Sequence, residues 1–313
     1  MIHNILLQTS KVLTLDIDPD RANSYLPSCE LKWRRKNLLV KNVVDNCDSS
    51  IENFPALKRK QWIESCLRNS LIKRVCIDRA LGERGIRLWA DACYQASKPV
   101  FVRIPSNSAL PCCNKTNYWR VKRIFDWLGT AIILTLLGPI MAIIILAIKI
   151  FTPGPIFYRQ WRVGKRGRLF KMYKFRTMVV DAEQKHHQLM TNQAGLHKLE
   201  NDPRITVIGK WLRKYSLDEL PQLFNVLCGE MSLVGPRPWA LYDALRLGQS
   251  GGARLNALPG ITGAWQVEGR SNLLNLDAVT KWDLDYLDGW SLTRDLKILL
   301  LTIPKVLSGF GAY

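Results

Sequence analysis

WLGTAIILTLLGPIMAIIILAI, residues 127–148, is the stretch on which the reading of this chain turns. Its 22 residues carry no ionisable side chain. At about 1.5 Å per residue they are long enough to cross the ~30 Å hydrocarbon layer of a bilayer. Gly138 and Pro139 stand in its middle, and a proline inside a helix removes one backbone hydrogen bond and bends the axis. Both flanks are basic: Arg120, Lys122 and Arg123 before it, then Lys149, Arg159, Arg162, Lys165, Arg166, Arg168, Lys171 and Lys174 after it. Cationic flanks favour the cytoplasmic side, and a single crossing cannot put both there. A helix that enters, breaks at Gly138-Pro139 and returns to the same face satisfies both flanks; a bent single span is the alternative.

The charge of the whole chain sharpens this. Forty-five Lys and Arg against 26 Asp and Glu leave +19 over 313 residues, which calls for an anionic partner such as nucleic acid, anionic lipid or a phosphorylated substrate. Residues 118–178 hold 12 basic and one acidic side chain, residues 1–117 hold 19 and 11, and the last 135 residues hold 14 of each. The excess thus hugs the apolar run, where anionic lipid headgroups would meet it. Duplex binding would leave that run without a purpose, so no nucleic-acid partner is expected. A mean hydropathy of −0.06 excludes a polytopic transporter.

Residues 1–111 read as a small α/β module. Strand-like segments at Leu38–Val44, Ile72–Ile77 and Val100–Ile104 alternate with helical spacing over Lys58–Ser70 and Gly85–Ala96, which suggests a parallel sheet with covering helices. No glycine-rich phosphate loop follows these strands, so a regulatory or assembly role is expected. Seven of the eight cysteines lie in the first 113 residues without a Cys-x-x-Cys pair, which reads as reduced thiols. The start of the chain shows no signal peptide. Residues 112–118 form a linker, 119–151 the membrane helix, and 152–313 the remainder.

After Thr152-Pro153-Gly154-Pro155 ends the helix, Phe157–Lys174 reads as a basic hairpin turning at Gly164–Gly167. Asp181–Lys198 reads as a polar helix, in which the adjacent His186 and His187 point to different faces and form no joint metal site. Ser216-Leu217-Asp218-Glu219 fits a capping box with Ser216 as N-cap, a purely structural use of two carboxylates at a helix start. The alternative is chemical: of two adjacent carboxylates, one can bind a divalent metal while the other attacks an electrophile. Arg213, Arg237 in the rigid Gly235-Pro236-Arg237-Pro238 turn, Lys174 and Arg176 supply cations for phosphate oxygens. Trp282, Tyr286 and Trp290 are either interface anchors or core, and Leu296–Leu307 is amphipathic and suited to a bilayer surface.

These residues carry a resemblance. KRIFD at 122–126, KMYKFRTM at 171–178, DPRIT at 202–206, SLDELPQLFNV at 216–226, GEMSLVGPRP at 229–238 and PGITG at 259–263 together resemble the bacterial sugar transferases, the monotopic phosphoglycosyl transferases. The resemblance implies a mixed α-β fold: a membrane-associated catalytic domain with a re-entrant helix-break-helix and amphipathic surface helices, here preceded by the small N-terminal α/β domain. It implies transfer of a sugar-1-phosphate from a nucleoside diphosphate sugar, expected to be a UDP-hexose, to undecaprenyl phosphate, with release of UMP. Asp218 matches the family nucleophile and Glu219 the carboxylate that binds Mg²⁺. Lys174, Arg176, Arg213, Arg237, Pro238 and Arg270 match positions around the phosphates and nucleotide. The family breaks its membrane helix at Ser-Pro; here the pair is Gly138-Pro139. The cytoplasmic face of the bacterial inner membrane follows as the location, with anionic lipids, downstream glycosyltransferases and a second copy of the chain as further partners. An inactive membrane scaffold for polysaccharide assembly is the rival reading, and the presence of all the charged positions together speaks against it.

Overall fold

The computed structural model describes residues 13–15, 29–42, 53–54, 60–104, 116–180, 182, 202–245, 249–268 and 276–308. The chain divides into two compact units: Met1–Ser106 with Trp161–Phe170 and Trp239–Gly252, and Asn107–Gln160 with Lys171–Pro238 and Ala253–Tyr313.

The first unit is built on a sheet of β1 (Leu13–Leu15), β2 (Cys29–Arg34), β3 (Asn37–Asn42), β4 (Asn53–Phe54), β5 (Arg74–Asp78) and β6 (Val100–Arg103), in the order β4-β1-β2-β3-β5-β6. Helices α1 (Lys60–Arg68) and α2 (Gly82–Gln95) supply Ile63, Leu67, Ile86 and Trp89 to a core with Leu31, Leu38, Val40, Val75 and Ile77. The three strands read from the sequence, β3, β5 and β6, run parallel as expected, but the sheet as a whole is mixed, because β2 pairs antiparallel with both β1 and β3. The reason is a hairpin whose two-residue turn is Arg35-Lys36, with Arg35 at φ 59°. It lacks the Asn-Gly or Asp-Gly signature that advertises such turns.

Burial pushes the Cys66 thiol up to about 11 and the Cys93 thiol up to about 12. The hairpin tip also belongs to this unit. Its turn is a short 3₁₀ segment, Lys165–Gly167, where Gly167 takes φ 77° and a side chain would meet the Val102 carbonyl at 2.3 Å.

The second unit is organised by α3 (Thr116–Phe151), 36 residues long and the one described helix long and apolar enough to cross a membrane. It remains helical through Gly138 and Pro139, so the expected break is instead a proline held inside a continuous helix. One proline costs one ladder bond, and packing on both sides compensates. Toward its C-terminal end, Met141, Ile144 and Ile148 pack with Phe175 and Leu212, joined by Ile156, Phe157, Ile208, Leu217 and Leu220.

Toward its N-terminal end α3 is fixed by polar contacts. Lys122 Nζ lies 2.6 Å from Asp295 Oδ2, Asp126 accepts from Ser232 Oγ and the Leu233 amide, and Arg123 donates to the carbonyls of Met231 and Val226. Between these ends Ile132, Leu136 and Ile143 stand exposed on the opposite face.

The remaining elements follow in order. The hairpin strands are β7 (Phe157–Val163) and β8 (Leu169–Phe175), and α4 (Val207–Lys214) leads to a 3₁₀ turn, Leu217–Glu219, and α5 (Gln222–Leu227). Then come β9 (Ser232–Val234), β10 (Trp239–Ala240), α6 (Leu241–Leu245), β11 (Gly260–Thr262), α7 (Ala264–Glu268), α8 (Leu276–Asp288) and α9 (Leu292–Ser308). β9 pairs parallel with β11, and β7 lies between β10 and β8.

Tyr286 and Trp290 are buried, both donating to the Asp295 carboxylate, so these two aromatics are core and not interface anchors. Leu300, Ile303 and Leu307 of α9 are exposed while Ile298 is buried, which is the amphipathic division expected there. The proposed helix at 181–198, with His186 and His187, lies outside the described residues apart from Ala182.

Candidate active site

The site is assembled where β8 ends and α5 begins. Along β8 and just beyond it, four consecutive residues each take a different task. Lys174 reaches the carboxylates: its Nζ is 2.7 Å from Glu219 Oε1 and 4.0 Å from Asp218 Oδ2. Phe175 is buried against α3. Arg176 turns to the C-terminal end of α3, donating to the Thr152 carbonyl at 2.7 Å and its hydroxyl at 2.9 Å. Thr177 accepts at Oγ1 from Arg213 Nε at 3.0 Å. Residues of alternating direction on an extended chain make this possible.

Asp218 and Glu219 occupy the 3₁₀ turn, but not through a capping box. Ser216 takes a left-handed conformation at φ 51° and its side chain caps nothing, while Glu219 gives its carboxylate to Lys174. A capping serine needs extended backbone, and the close of α4 at Tyr215 leaves Ser216 in a reversal that precludes it.

Asp218 is buried, and that burial pushes its carboxyl from 3.8 up to about 6. Lys174 and Arg213 pull it back down, and the Glu219 charge beside it adds to the rise. Burial likewise lowers the Arg213 guanidinium, against the pull of Asp218 and Asp202. The result is a carboxylate that ionises near neutrality with two cations facing it.

Arg213 is held by more than Thr177. Asp202 forms a bidentate pair with Arg204 (2.8 and 2.6 Å) and accepts the Arg204 amide at 3.0 Å, which stiffens the entry to α4. Thr206 then caps the helix through the Gly209 amide at 2.9 Å. Gly209 lies so close to the Thr177 carbonyl that a side chain there would approach to 2.1 Å. Close approach explains the glycine.

The Gly235–Pro238 turn is braced from behind. Gly235 donates to the Thr262 carbonyl and Gly260 to the Pro236 carbonyl, both at 2.9 Å. Arg254, paired with buried Asp283, donates to the Arg237 carbonyl at 2.8 Å. Pro238 is buried, and the exposed Arg237 lays its guanidinium 5.6 Å from the Trp265 ring centre. Of the positions picked from sequence, Lys174, Asp218, Glu219 and Arg213 therefore form one cluster. Arg237 and Pro238 belong to the braced turn, Arg176 is committed to the helix end, and Arg270 lies outside the described residues. Thr177, Asp202 and Arg204 had no role assigned from sequence, although all three stand inside the quoted motifs.

No group of three or more potential metal ligands exists among the described residues. The oxygen donors at this turn are the adjacent carboxylates of Asp218 and Glu219. That donor set fits magnesium, which commonly takes one or two carboxylates and fills its octahedron with phosphate oxygens and water.

The family model for bacterial sugar transferases matches residues 117–309. The galactosyl transferase CpsE of Streptococcus agalactiae is 47% identical over 201 residues, 63% of this chain and 44% of that protein. The undecaprenyl-phosphate galactose phosphotransferase of Salmonella typhimurium is 43% identical over 201 residues, 62% of this chain and 42% of that protein. The chain thus spans less than half the length of these two relatives. It covers 99% of the exopolysaccharide production protein ExoY of Rhizobium meliloti, at 38% identity over 230 residues. With the family pattern running through its membrane helix, its carboxylate turn and its braced arginine turn, the chain belongs to the bacterial sugar transferase family.

Proposed function

We propose that this chain transfers a sugar-1-phosphate from a nucleoside diphosphate sugar, a UDP-hexose, to undecaprenyl phosphate at the cytoplasmic face of the bacterial inner membrane. The observation that carries the reading is the buried Asp218 carboxylate, raised to about 6 and faced by Lys174 and Arg213. Relatives named as undecaprenyl-phosphate galactose and glucose phosphotransferases support the substrate class.

In the first step an Asp218 oxygen attacks the sugar-bearing phosphorus, and the bond from that phosphorus to the bridging oxygen breaks to release UMP. In the second step the lipid phosphate attacks the same phosphorus and frees Asp218. Two displacements at phosphorus leave the sugar's C1–O bond intact, so its anomeric configuration is retained. Arg213, fixed by Thr177, stabilises charge on the non-bridging oxygens, and Lys174 helps keep Asp218 ionised. Glu219 would hold Mg²⁺, whose chemistry there is neutralisation of the diphosphate and the departing monophosphate.

The re-entrant part of this reading rests on the cationic flanks at both ends of the apolar run. Asp126 binds Ser232 and Ile148 packs on Phe175, so both ends of the apolar run rest on one compact unit.

The test is UMP release by the detergent-purified full chain from a panel of UDP-sugars, with Mg²⁺ and undecaprenyl phosphate, against a lipid-free control. Lipid-dependent UMP from one sugar is the expected result, and it names the donor. Folded protein that releases UMP from none of them overturns the reading.

A further inference from the structure

Two of the segments the mechanism uses are β8, which carries Lys174, and the turn before α5, which carries Asp218 and Glu219. The two are joined by a residue outside the chemistry. Asn225 is fully buried on α5. Its Oδ1 accepts from the Tyr173 amide at 3.1 Å, and its Nδ2 donates to the Lys171 carbonyl at 2.9 Å and to Glu230 Oε2 at 2.7 Å. Its own carbonyl accepts from the amides of Glu230 and Met231 at 3.0 and 3.2 Å.

β8 is an edge strand, with β7 as its neighbour on one side. On the other side, the Lys171 carbonyl and the Tyr173 amide point the same way, two residues apart on an extended strand. The Asn225 carboxamide meets both as a neighbouring peptide group would, one donor and one acceptor in a plane. Tyr173 is the residue next to Lys174. On the other side of the link, α5 is continuous with the carboxylate turn through short contacts: Leu220 to Leu217, Leu223 to Leu220, and Phe224 to Pro221, each amide to carbonyl.

We propose that Asn225 is a positioning residue for the transfer reaction: its carboxamide sets the separation between the Lys174 ammonium and the Asp218-Glu219 turn. The inference rests on the proposed phosphotransfer reading. A displacement of ~1 Å in such a constellation costs about a hundredfold in rate, so Asn225→Ala lowers kcat for UMP release by about that factor.

The discriminating experiment is a double-mutant cycle of Asn225→Ala with Lys174→Ala, each protein checked for a folded melting transition. If Asn225 acts by placing Lys174, the double variant is about as slow as the slower single variant, because the second change removes nothing further. If Asn225 only stabilises the unit, the two losses multiply, and the proposal falls. Asn225→Asp, which keeps the acceptor for Tyr173, enters the cycle if Asn225→Ala does not fold.

Hydrogen exchange on the wild-type chain supplies a readout independent of folding defects and of activity. The Tyr173 amide is expected to exchange as slowly as the β8 amides paired to β7; exchange at the rate of an open strand edge overturns the proposal. A wild-type chain with no transferase activity would instead defeat the phosphotransfer reading, and leave the exchange result to judge the link between the segments.

Discussion

Asn in place of Asp218 should make the protein more stable, and by an amount that depends on pH. In the folded chain the carboxyl is pushed from 3.8 to about 6, with the attraction of Lys174 and Arg213 already included in that balance. At 1.36 kcal/mol per tenfold change in the equilibrium, the net cost of ionising it in the folded chain is about 3 kcal/mol. The sign follows from proton counting. Between pH ~4 and ~6 the folded state holds a proton that the unfolded state has lost, so wild-type stability falls as pH rises through that window and is level above it. Asp218→Asn removes the titration. Its advantage should be near zero at pH 4 and reach up to about 3 kcal/mol at pH 7, which is ~6–12 °C in melting temperature for a domain of this size. The assay is thermal unfolding of both proteins in detergent with EDTA, from pH 4 to 8. A gap that stays constant across the range, or narrows as the pH rises, would refute the assignment of Asp218 as the raised carboxyl. The same variant should release no UMP above background.

Other perturbations test separate parts of the structure. Lys174→Met, which leaves Asp218 without its facing ammonium, should lower UMP release by about a hundredfold or more; activity within fivefold of wild type would remove Lys174 from the site. Lys122→Met leaves the Asp295 carboxylate buried without its ion-pair partner and should cost about 3–5 kcal/mol, read as a fall in the denaturant midpoint. Ile148→Ala empties a site in the core between α3, β8 and α4 and should cost about 2–5 kcal/mol, whereas Ile132→Ala on the exposed face should leave the detergent-solubilised protein within about 0.5 kcal/mol. Cysteines placed at 118 and 155 in a chain free of native thiols should label from the same side of the membrane; labelling from opposite sides means a spanning helix.

The parts of the fold that were legible in the sequence are those governed by local rules. The apolar run, the basic hairpin with its Gly164–Gly167 turn, and the alternation of strands and helices in the first unit all follow from composition and spacing, and the structure has them. The antiparallel β2–β3 hairpin was hidden because Arg35-Lys36 is an unusual turn pair. Of the two uses of Ser216–Glu219, the capping box does not form, because the pattern is local whereas Ser216 follows the end of α4 with a left-handed backbone and Glu219 gives its carboxylate to Lys174, 45 residues away. Arg176 illustrates the same limit. Its charge fits a phosphate, and only the path of the chain shows that Thr152 claims it. Asn225 and Thr177 carry no charge and no motif logic of their own. Their importance lies in which long-range groups they meet, and this cannot be read from neighbours in sequence.

The polar anchoring of α3 has a consequence for how the protein is made. Lys122 and its partner Asp295 are 173 residues apart in the chain, so the membrane helix leaves the ribosome long before the carboxylate that will bury its lysine has been synthesised. At ~5–20 residues per second, the helix spends roughly ten to thirty-five seconds before that carboxylate exists. Seating of α9 then buries Lys122 against Asp295, making α9 the latch that fastens the N-terminal end of α3.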